Sequence, residues 1–479
     1  MTIRQDPWEG SLDLLRRLRW AKPSSVNAWV KRWILMAAAV VAPSLACARR
    51  GPYAESTRAQ VVLPPPAFPL KLSPDRSHLV DQTGRPFLVQ GDAAWSLIAQ
   101  PSEADAETYL ADRQSRGVNL VMINLIEHKF ADRAPANADG QPPFAAPGDF
   151  SRPNEPYFAH ADAVIRRAAA HGIAVLLAPA YLGFEGGEEG WYREMVAAGP
   201  DKMRDWGRYV GARYGAFDNV VWLEAGDYLP GRDGMALVNA VVAGIKDKDG
   251  TRHLHVPHWD KTSGTEVPVD WADVDTTYTY KPTYLKSLAD YNRDRRDGRA
   301  RAHILIESKY EGEYDSTPAS LRAQAYGALL TGACGQIFGN KPVWNFGDGW
   351  KKQLGSPGMV SMTHLWDLLA PRDWPALVPD QTHQVMTAGL AGRTDAEWAL
   401  LAATPDGRLA IAYLPTVRTV TVALTKMAGP VRARWIDPAS GAAVPAAAGP
   451  FPNRGAQALR PPKHNSAGDP DWILLLELW

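Results

Sequence analysis

Eight short apolar segments recur along the chain, and segments with helical spacing separate nearly all of them. Apolar runs bounded by turn-forming residues are typical of buried strands. We predict eight strands: Pro86–Gly91, Val118–Leu125, Ile173–Ala180, Asn219–Asp227, His253–Pro257, Val274–Tyr280, Ala302–Glu307 and Gly335–Gly339. The predicted helices are Glu103–Arg116, Glu155–His171, Trp191–Tyr214, Gly234–Lys246, Ser287–Arg296 and Ala319–Leu330. This alternation favours a parallel sheet, and eight units favour a closed (β/α)₈ TIM barrel over residues 70–380.

An open doubly wound sheet is the alternative architecture. In such sheets a glycine-rich phosphate-binding loop follows the first strand, and no such loop follows Pro86–Gly91. The barrel is therefore the favoured prediction. A hairpin turn is expected just before its first strand, at Gln82–Gly84.

The pattern changes near Asp380, where helical spacing stops and short alternating or apolar runs follow. The expected strands are Trp398–Ala403, Leu409–Leu414, Val417–Leu424, Val431–Asp437 and Trp472–Leu476. Their spacing predicts a small β-sandwich over residues 381–479. Only a short polar stretch joins it to the barrel, without a Pro- or Gly-rich linker, so we expect the two domains to pack together.

The N-terminal segment has the order of an export signal. Lys31 and Arg32 precede the apolar run WILMAAAVVAPSLA, and small residues around Cys47 provide a cleavage site. We therefore predict an export signal with a long n-region over residues 1–48, and a periplasmic, secreted or outer-surface lipoprotein location. Cys47 is a candidate lipid anchor. Residues 49–69 are rich in proline and are predicted to form an extended tether.

Composition excludes several classes of function. Lys plus Arg equals Asp plus Glu at 52 each, so the net charge is zero and nothing favours a nucleic acid partner. The two cysteines cannot form a Cys-type zinc site. Cys334 lies in an apolar run and is expected to be a small buried residue rather than a nucleophile. We predict no cofactor, no metal ion and a monomer.

Two of the predicted strands end on a carboxylate, which is costly to bury without a partner or a function. The fourth strand runs into Asp227, and the seventh ends on Glu307. The carboxyl ends of parallel barrel strands meet at one rim, and two facing carboxylates are what glycoside hydrolysis requires. The structural alternative is that Asp227 caps the next helix and that Glu307 pairs with Lys309 or Arg322.

A third acid, Glu224, lies three residues before Asp227. Side chains alternate between the two faces of a strand, so Glu224 should face the helical layer while Asp227 faces the pocket.

Six sequence motifs follow one another in an order that resembles the apiosidase-like glycoside hydrolases, a TIM-barrel family. They are GDAAW at 91–95, GVNLVMIN at 117–124, PNEPYF at 153–158, NVVWLEAGD at 219–227, GACGQIFGNKPVW at 332–344 and WIDPASG at 435–441. The resemblance covers residues 70–479 and implies a C-terminal domain of the kind named "putative collagen-binding". It also implies retaining hydrolysis, with Asp227 as the acid/base and Glu307 as the nucleophile.

Several polar and aromatic side chains at strand ends are candidate substrate ligands. The set comprises Asp92, Trp95, Asn124, Glu127, His128, His255, Tyr280, Asn340 and Trp344. Asp92 could bind a sugar hydroxyl or cap the next segment, and Tyr280 could orient the nucleophile. His253, His255 and His258 could suit a metal ion, but no acidic or Cys partner completes a set, so substrate contact or structure is favoured.

These observations favour a glycoside hydrolase acting on a side chain of a plant or microbial polysaccharide. A non-catalytic glycan-binding protein on the same scaffold is the main alternative, and an adhesin-like surface protein is a third possibility. An intact pair of acids in one pocket separates the first function from the other two.

Overall fold

The computed structural model describes residues 63–296 and 301–479. The predicted export signal, with Cys47, and the first part of the predicted tether lie outside these residues. Within the described ranges, no helix is both long enough and apolar enough to cross a lipid bilayer.

A small antiparallel sheet precedes the barrel and consists of β1 (Lys71–Leu72), β2 (Leu79–Val80) and β3 (Pro86–Phe87). The predicted turn at Gln82–Gly84 joins β2 to β3. Pro86 therefore belongs to this small sheet, and the first barrel strand begins three residues later than predicted.

Eight parallel strands form a nearly closed barrel, as predicted. They are β4 (Val89–Ala93), β5 (Leu120–Asn124), β6 (Ala174–Ala178), β7 (Val220–Ala225), β8 (His255–His258), β9 (Asp275–Tyr278), β10 (His303–Glu307) and β11 (Gly335–Phe338). Their order in the sheet is β8-β7-β6-β5-β4-β11-β10-β9, and the ladder is open only between β8 and β9. The strands that end near Asp227 and at Glu307 are the fourth and seventh, so their carboxyl ends share one rim.

Helices cover the outside of the barrel. They are α1 (Glu103–Ser115), α2 (Glu155–Ala170), α3 (Tyr192–Tyr214), α4 (Arg232–Asp249), α5 (Ser263–Glu266), α6 (Thr283–Arg296), α7 (Pro318–Leu329) and α8 (Pro357–Leu369). The sequence pattern did not predict α5 or α8. Helix α8 begins with Ser356 as its N-cap and Pro357 at its first position, and this pair is a helix start signal in the sequence.

Strand β7 shows why the apolar runs lack the alternation of an exposed strand. All six of its residues are buried. Val221 and Leu223 pack inside the barrel, whereas Val220 and Trp222 pack against the helices. A parallel strand covered on both faces must be apolar on both, so a polar residue in it needs a partner.

Two antiparallel sheets follow the barrel. Their strands are β12 (Val378–Pro379), β13 (Met386–Ala388), β14 (Leu400–Ala403), β15 (Leu409–Leu414), β16 (Val420–Ala423), β17 (Val431–Ile436), β18 (Ala443–Pro445), β19 (Ala456–Leu459) and β20 (Trp472–Leu478). One sheet has the order β12-β14-β15-β20-β17-β18 and the other β13-β16-β19. Both contribute to one apolar cluster, which holds the sheets together face to face.

The opposite face of the larger sheet packs on the barrel, as the short connection predicted. Ile411 and Ile473 on this face belong to the same apolar cluster as the barrel helices. Arg322 on α7 is fully buried, and its guanidinium makes two 2.7 Å hydrogen bonds to the buried carboxylate of Asp471. Asp469 accepts a third hydrogen bond from the same guanidinium at 2.7 Å.

We predict that Asp471→Ala lowers the free energy of unfolding by about 3 kcal/mol, because it leaves the buried Arg322 guanidinium with too few acceptors. Urea unfolding followed by tryptophan fluorescence measures the change. Arg393→Ala is the control, because this arginine is 93% exposed in its pair with Glu397 and should leave stability unchanged. Equal stability of the Asp471→Ala variant and the parent chain would contradict the predicted importance of this interface.

Candidate active site

The backbone turns sharply where β7 ends. Ala225, Gly226 and Asp227 all have positive φ angles, of 74°, 127° and 48°. A side chain at Gly226 would meet the ring of Tyr181 at 2.2 Å, so only glycine fits at this position. Positive φ costs energy for the non-glycine residues on either side, and such strain tends to be retained at functional sites.

The turn brings the carboxylate of Asp227 to the hydroxyl of Tyr278, which donates a 2.7 Å hydrogen bond to it. Glu307, 8% exposed, lies at the end of β10. Its carboxylate accepts hydrogen bonds from the Tyr280 hydroxyl at 2.9 Å and from Nε2 of His258 at 3.0 Å. Each acid thus has a tyrosine donor from the end of the sixth barrel strand.

His258 contacts both acidic residues. Its Nδ1 accepts a 2.7 Å hydrogen bond from the backbone N–H of Asp227, so Nε2 must carry the proton that it donates to Glu307. One buried imidazole therefore links the backbone of one acid to the carboxylate of the other. The sequence pattern placed His258 among three possible metal ligands, with substrate contact or structure favoured, and did not predict its contacts with the two acids. Its place on the strand after Val256, which faces the barrel interior, was the signal that could have identified it.

The surroundings of Asp227 favour its protonated form. Burial, and then the neighbouring charge of Glu307, raise the pKa of Asp227 well above its ordinary value, although the hydrogen bond from Tyr278 acts against them. Asp227 is consequently protonated under conditions in which an exposed aspartate is ionised. Burial and the charge on Glu307 also raise the pKa of Tyr278 and of Tyr280, so both hydroxyls keep the protons that they donate.

Aromatic rings form the wall around the acids. Trp95 contacts the rings of Tyr181 and His258 at centroid distances of 5.2 and 5.5 Å, and its indole N–H donates to the hydroxyl of Tyr310 at 3.2 Å. The rings of Phe130 and Trp344 meet edge to face, with their centroids 5.0 Å apart. Such walls exclude water and offer flat faces to a ligand. Tyr181 and Tyr310 were not among the predicted site residues.

Three further predicted ligands lie at or near this rim. Asn124 ends β5 on the side that faces the barrel interior, as do Leu120 and Met122. His128 packs its ring on Trp191 at 4.6 Å, with Nε2 3.2 Å from Glu194. Asn340 follows β11 and donates to the carboxylate of Glu311 at 2.9 Å, and so fixes the loop after β10.

Two predicted ligands, Asp92 and His255, face the helical layer instead of the pocket. The carboxylate of Asp92 is fully buried and accepts hydrogen bonds from Arg113 at 2.6 Å and from Tyr109 at 2.7 Å. His255 pairs with Glu224 at 2.8 Å, and both are 1% exposed. The expected outward orientation of Glu224 agrees with this geometry. All residues of both strands are buried, so strand alternation alone did not tell which face of each strand points into the barrel.

The carboxylate of Glu127, another predicted ligand, makes its hydrogen bonds to nearby protein groups. One carboxylate oxygen accepts from the hydroxyl of Ser96 at 2.8 Å. The other accepts from the backbone N–H groups of His128 and Phe130, at 3.1 and 3.2 Å. This residue is 1% exposed, and its carboxylate organises the loop after β5.

The structural alternatives for the two acids do not apply. Gly231, not Asp227, is the N-cap of α4. Lys309 pairs with Asp315 at 2.6 Å, and Arg322 pairs with Asp471 in the C-terminal sheet, so neither cation is the partner of Glu307.

The three histidines considered as metal ligands contact three different carboxylates. His253 contacts Asp249, His255 contacts Glu224 and His258 contacts Glu307. In the described ranges, no three His, Cys, Asp or Glu residues are grouped so that they could hold a metal ion. Cys334 is 2% exposed, and burial raises the pKa of its thiol to about 12, as suits a residue that is not a nucleophile.

Comparison with known protein families gives two matches along the chain. Residues 73–376 match the family described as "Apiosidase-like, catalytic domain". The chain belongs to the apiosidase-like family. Residues 378–477 of this apiosidase-like chain match a second family, described as "putative collagen-binding domain of a collagenase". A search of curated proteins finds no match.

Solved structures of similar fold include two described as glycoside hydrolases. One, described only as a glycoside hydrolase, is 21% identical with a TM-score of 0.72, over 86% of this chain and 97% of the other. A family 5 glycoside hydrolase from Bacteroides vulgatus ATCC 8482 is 19% identical with a TM-score of 0.73, over 85% of this chain and 93% of the other. At these identities the likeness concerns the fold. Membership of the apiosidase-like family supports a glycosidase.

We predict that the pKa of Asp227 depends on both of its neighbours. Glu307→Gln removes the nearby charge and should lower this pKa, whereas Tyr278→Phe removes a donor to the charged form and should raise it. The carbon-13 shift of the labelled Asp227 carboxyl, assigned with Asp227→Asn, measures the pKa without any substrate. Opposite shifts in the two variants are expected. An unchanged pKa in Glu307→Gln would show that the acids are not electrostatically coupled.

Proposed function

We propose that this protein is a retaining glycoside hydrolase that acts on a side chain of a plant or microbial polysaccharide, with Glu307 as nucleophile and Asp227 as acid/base. The observation that carries the proposal is the division of roles between the two acids. Asp227 has a raised pKa, whereas Glu307 accepts two hydrogen bonds. A proton donor and an ionised nucleophile are the two groups that retaining hydrolysis needs.

In the first step, a carboxylate oxygen of Glu307 attacks the anomeric carbon of the sugar. Asp227 gives its proton to the glycosidic oxygen, so the leaving group departs as a neutral alcohol. Tyr280 and His258 hold the attacking carboxylate in one orientation, which reduces the entropy that the reaction must lose. The product of this step is a glycosyl ester of Glu307.

The second step needs Asp227 to act as a base. The electrostatic coupling between the acids provides the necessary decrease in the pKa of Asp227. Once Glu307 is esterified it carries no charge, so one of the causes that raise the pKa of Asp227 disappears. Asp227 can then accept a proton from the water that attacks the anomeric carbon. The configuration of the released sugar is that of the substrate.

The remaining residues at the rim suit recognition of a sugar. The rings of Trp95 and Trp344 would present faces to it, and Asn124 and His128 would bind its hydroxyl groups. Asn124 Oδ1 and His128 Nδ1 are buried without a hydrogen-bond partner within the described part of the chain, which supports a role for these two side chains beyond packing.

We also propose that the protein is exported and anchored through Cys47, because an apolar run after Lys31–Arg32 ends in small residues around this cysteine. Expression of the full chain in a bacterium with two membranes should give a mature protein that begins at Cys47 and carries a lipid, as intact mass will show. Cys47→Ser should remove the lipid. A mature chain that starts after Ala48 without lipid would favour ordinary secretion, and an uncleaved chain would contradict export.

We predict that substitutions of the two acids have different effects on turnover. Glu307→Ala removes the attacking group, so turnover should be lost on every substrate. Asp227→Ala removes only proton delivery, so kcat should fall by about 10²–10⁴ on natural glycans, and less on aryl glycosides with a good leaving group. Added azide should restore turnover in Asp227→Ala and give a glycosyl azide of retained configuration.

The substrates for these measurements are pectic oligosaccharides and a panel of aryl glycosides that includes an apioside. Glu188→Ala is the matched control, because this carboxylate is 71% exposed on the rim loop after β6. Its kcat should change by less than about twofold. Normal rates in Asp227→Ala on a natural glycan would remove the assignment of the acid/base, and activity that needs neither acid would favour a glycan-binding protein.

A further inference from the structure

Tyr280 and Tyr314 are among the few large hydrophobic side chains that the described part of the chain exposes. Tyr280 is 39% exposed, and Tyr314 is 66% exposed. Both lie at the carboxyl rim of the barrel, beyond the end of the sixth and seventh strands. Exposed aromatic rings are unfavourable in water, so two in contact beside the acids need an explanation.

Three tyrosine rings lead from the acids to the surface. Tyr278, which donates to Asp227, lies 5.7 Å from the ring of Tyr280, which donates to Glu307. The ring of Tyr280 lies in turn 5.8 Å from that of Tyr314. Exposure rises along this path, from a partly buried ring beside the acids to a largely open one at the surface.

The loop that carries Tyr314 is fixed on both sides. The carboxylate of Glu311 accepts hydrogen bonds from Asn340 at 2.9 Å, from the backbone N–H of Gly358 at 2.8 Å and from the hydroxyl of Ser356. Two residues further on, Glu313 accepts a 3.1 Å hydrogen bond from the indole of Trp344. The loop is therefore tied to the pocket wall as well as to the start of α8.

Tyr314 itself has a positive φ of 50°, an uncommon conformation for a residue with a bulky side chain. On its C-terminal side, Asp315 is held by the 2.6 Å ion pair with Lys309. The backbone at Tyr314 is therefore strained, and contacts hold the residues on either side of it. The ring itself lies largely in solvent. An arrangement of this kind positions a side chain for a ligand.

We propose that Tyr314 forms a second sugar-binding subsite, which binds the sugar adjacent to the one held at the acids. The proposal rests on the glycoside hydrolase function and deepens it: the substrate is a glycan chain at least two sugars long at this end of the pocket. A flat ring can stack on the apolar face of a sugar, and the polar residues around it can bind hydroxyl groups. A protein partner would need a much larger apolar patch than the two neighbouring rings of Tyr280 and Tyr314 provide.

The experiment compares Tyr314→Ala and Tyr314→Phe on two substrates that carry the same terminal sugar. One is an aryl glycoside, which has no second sugar, and the other is a cell-wall oligosaccharide. In Tyr314→Ala, kcat/KM should fall on the order of tenfold on the oligosaccharide, mainly through KM, and by less than about twofold on the aryl glycoside. Tyr314→Phe keeps the ring and should behave as the parent protein.

Trp479→Ala is the matched control, because Trp479 is also 66% exposed but follows β20, the last strand of the C-terminal sheets. This substitution should leave kcat/KM unchanged on both substrates. An equal loss on both substrates in Tyr314→Ala, or no loss on either, would overturn the subsite while leaving the hydrolase function intact.

Binding to a panel of cell-wall oligosaccharides, measured by calorimetry in the Glu307→Gln background, separates the two proposals. The parent protein could hydrolyse nothing on the panel and still bind an oligosaccharide that Tyr314→Ala binds more weakly. This result would support the subsite and overturn the hydrolase function. Binding that is unaffected by Tyr314→Ala would overturn the subsite. Absence of both binding and hydrolysis across the panel would overturn both proposals.

Discussion

The coupling between two buried carboxyl groups is the constraint on which the site depends. Two like charges cannot both be held in one water-poor pocket at low cost, so burial and the charge of Glu307 raise the pKa of Asp227. His258 completes the arrangement, because it fixes the backbone at Asp227 with one nitrogen and donates to Glu307 with the other. In the proposed retaining reaction, this coupling would keep Asp227 protonated before attack and would weaken once Glu307 is esterified, so one interaction would serve both steps.

The barrel makes this coupling possible because its strands end at one rigid rim. Asp227 follows β7, His258 ends β8, Tyr278 ends β9 and Glu307 ends β10, so four neighbouring or facing strands each supply one group. The C-terminal sheets support this frame from outside. Their buried Asp471 holds Arg322 on α7, the helix that follows the strand carrying Glu307. One face of the larger sheet packs against the barrel, and the other packs against the smaller sheet.

The pocket rim combines fixed backbone with aromatic side chains. Gly226 allows the ring of Tyr181 to lie directly on the strained turn, and a Cβ at that position would meet this ring at 2.2 Å. Asn340 and Glu127, two of the predicted substrate ligands, hold the loops after β10 and β5. Buried polar groups at the ends of strands therefore divide into those that position loops and those that face the reaction. Only the second kind should alter the chemistry directly.

The barrel, the C-terminal sheets and the two strand-end acids could be predicted from the sequence, because each follows from the local order of residues. Buried parallel strands must be apolar on both faces, and a carboxylate at the end of such a run, Asp227 or Glu307, stands out against them. Alternation along β7 was also sufficient to direct Glu224 outward. The sequence could not show that Asp92 is neutralised by Arg113, twenty-one residues away, or that His258 lies between two acids on other strands. These contacts depend on distances across the barrel, which no local pattern encodes. Packing across the barrel therefore fixes which polar residues line the pocket and which stabilise the fold.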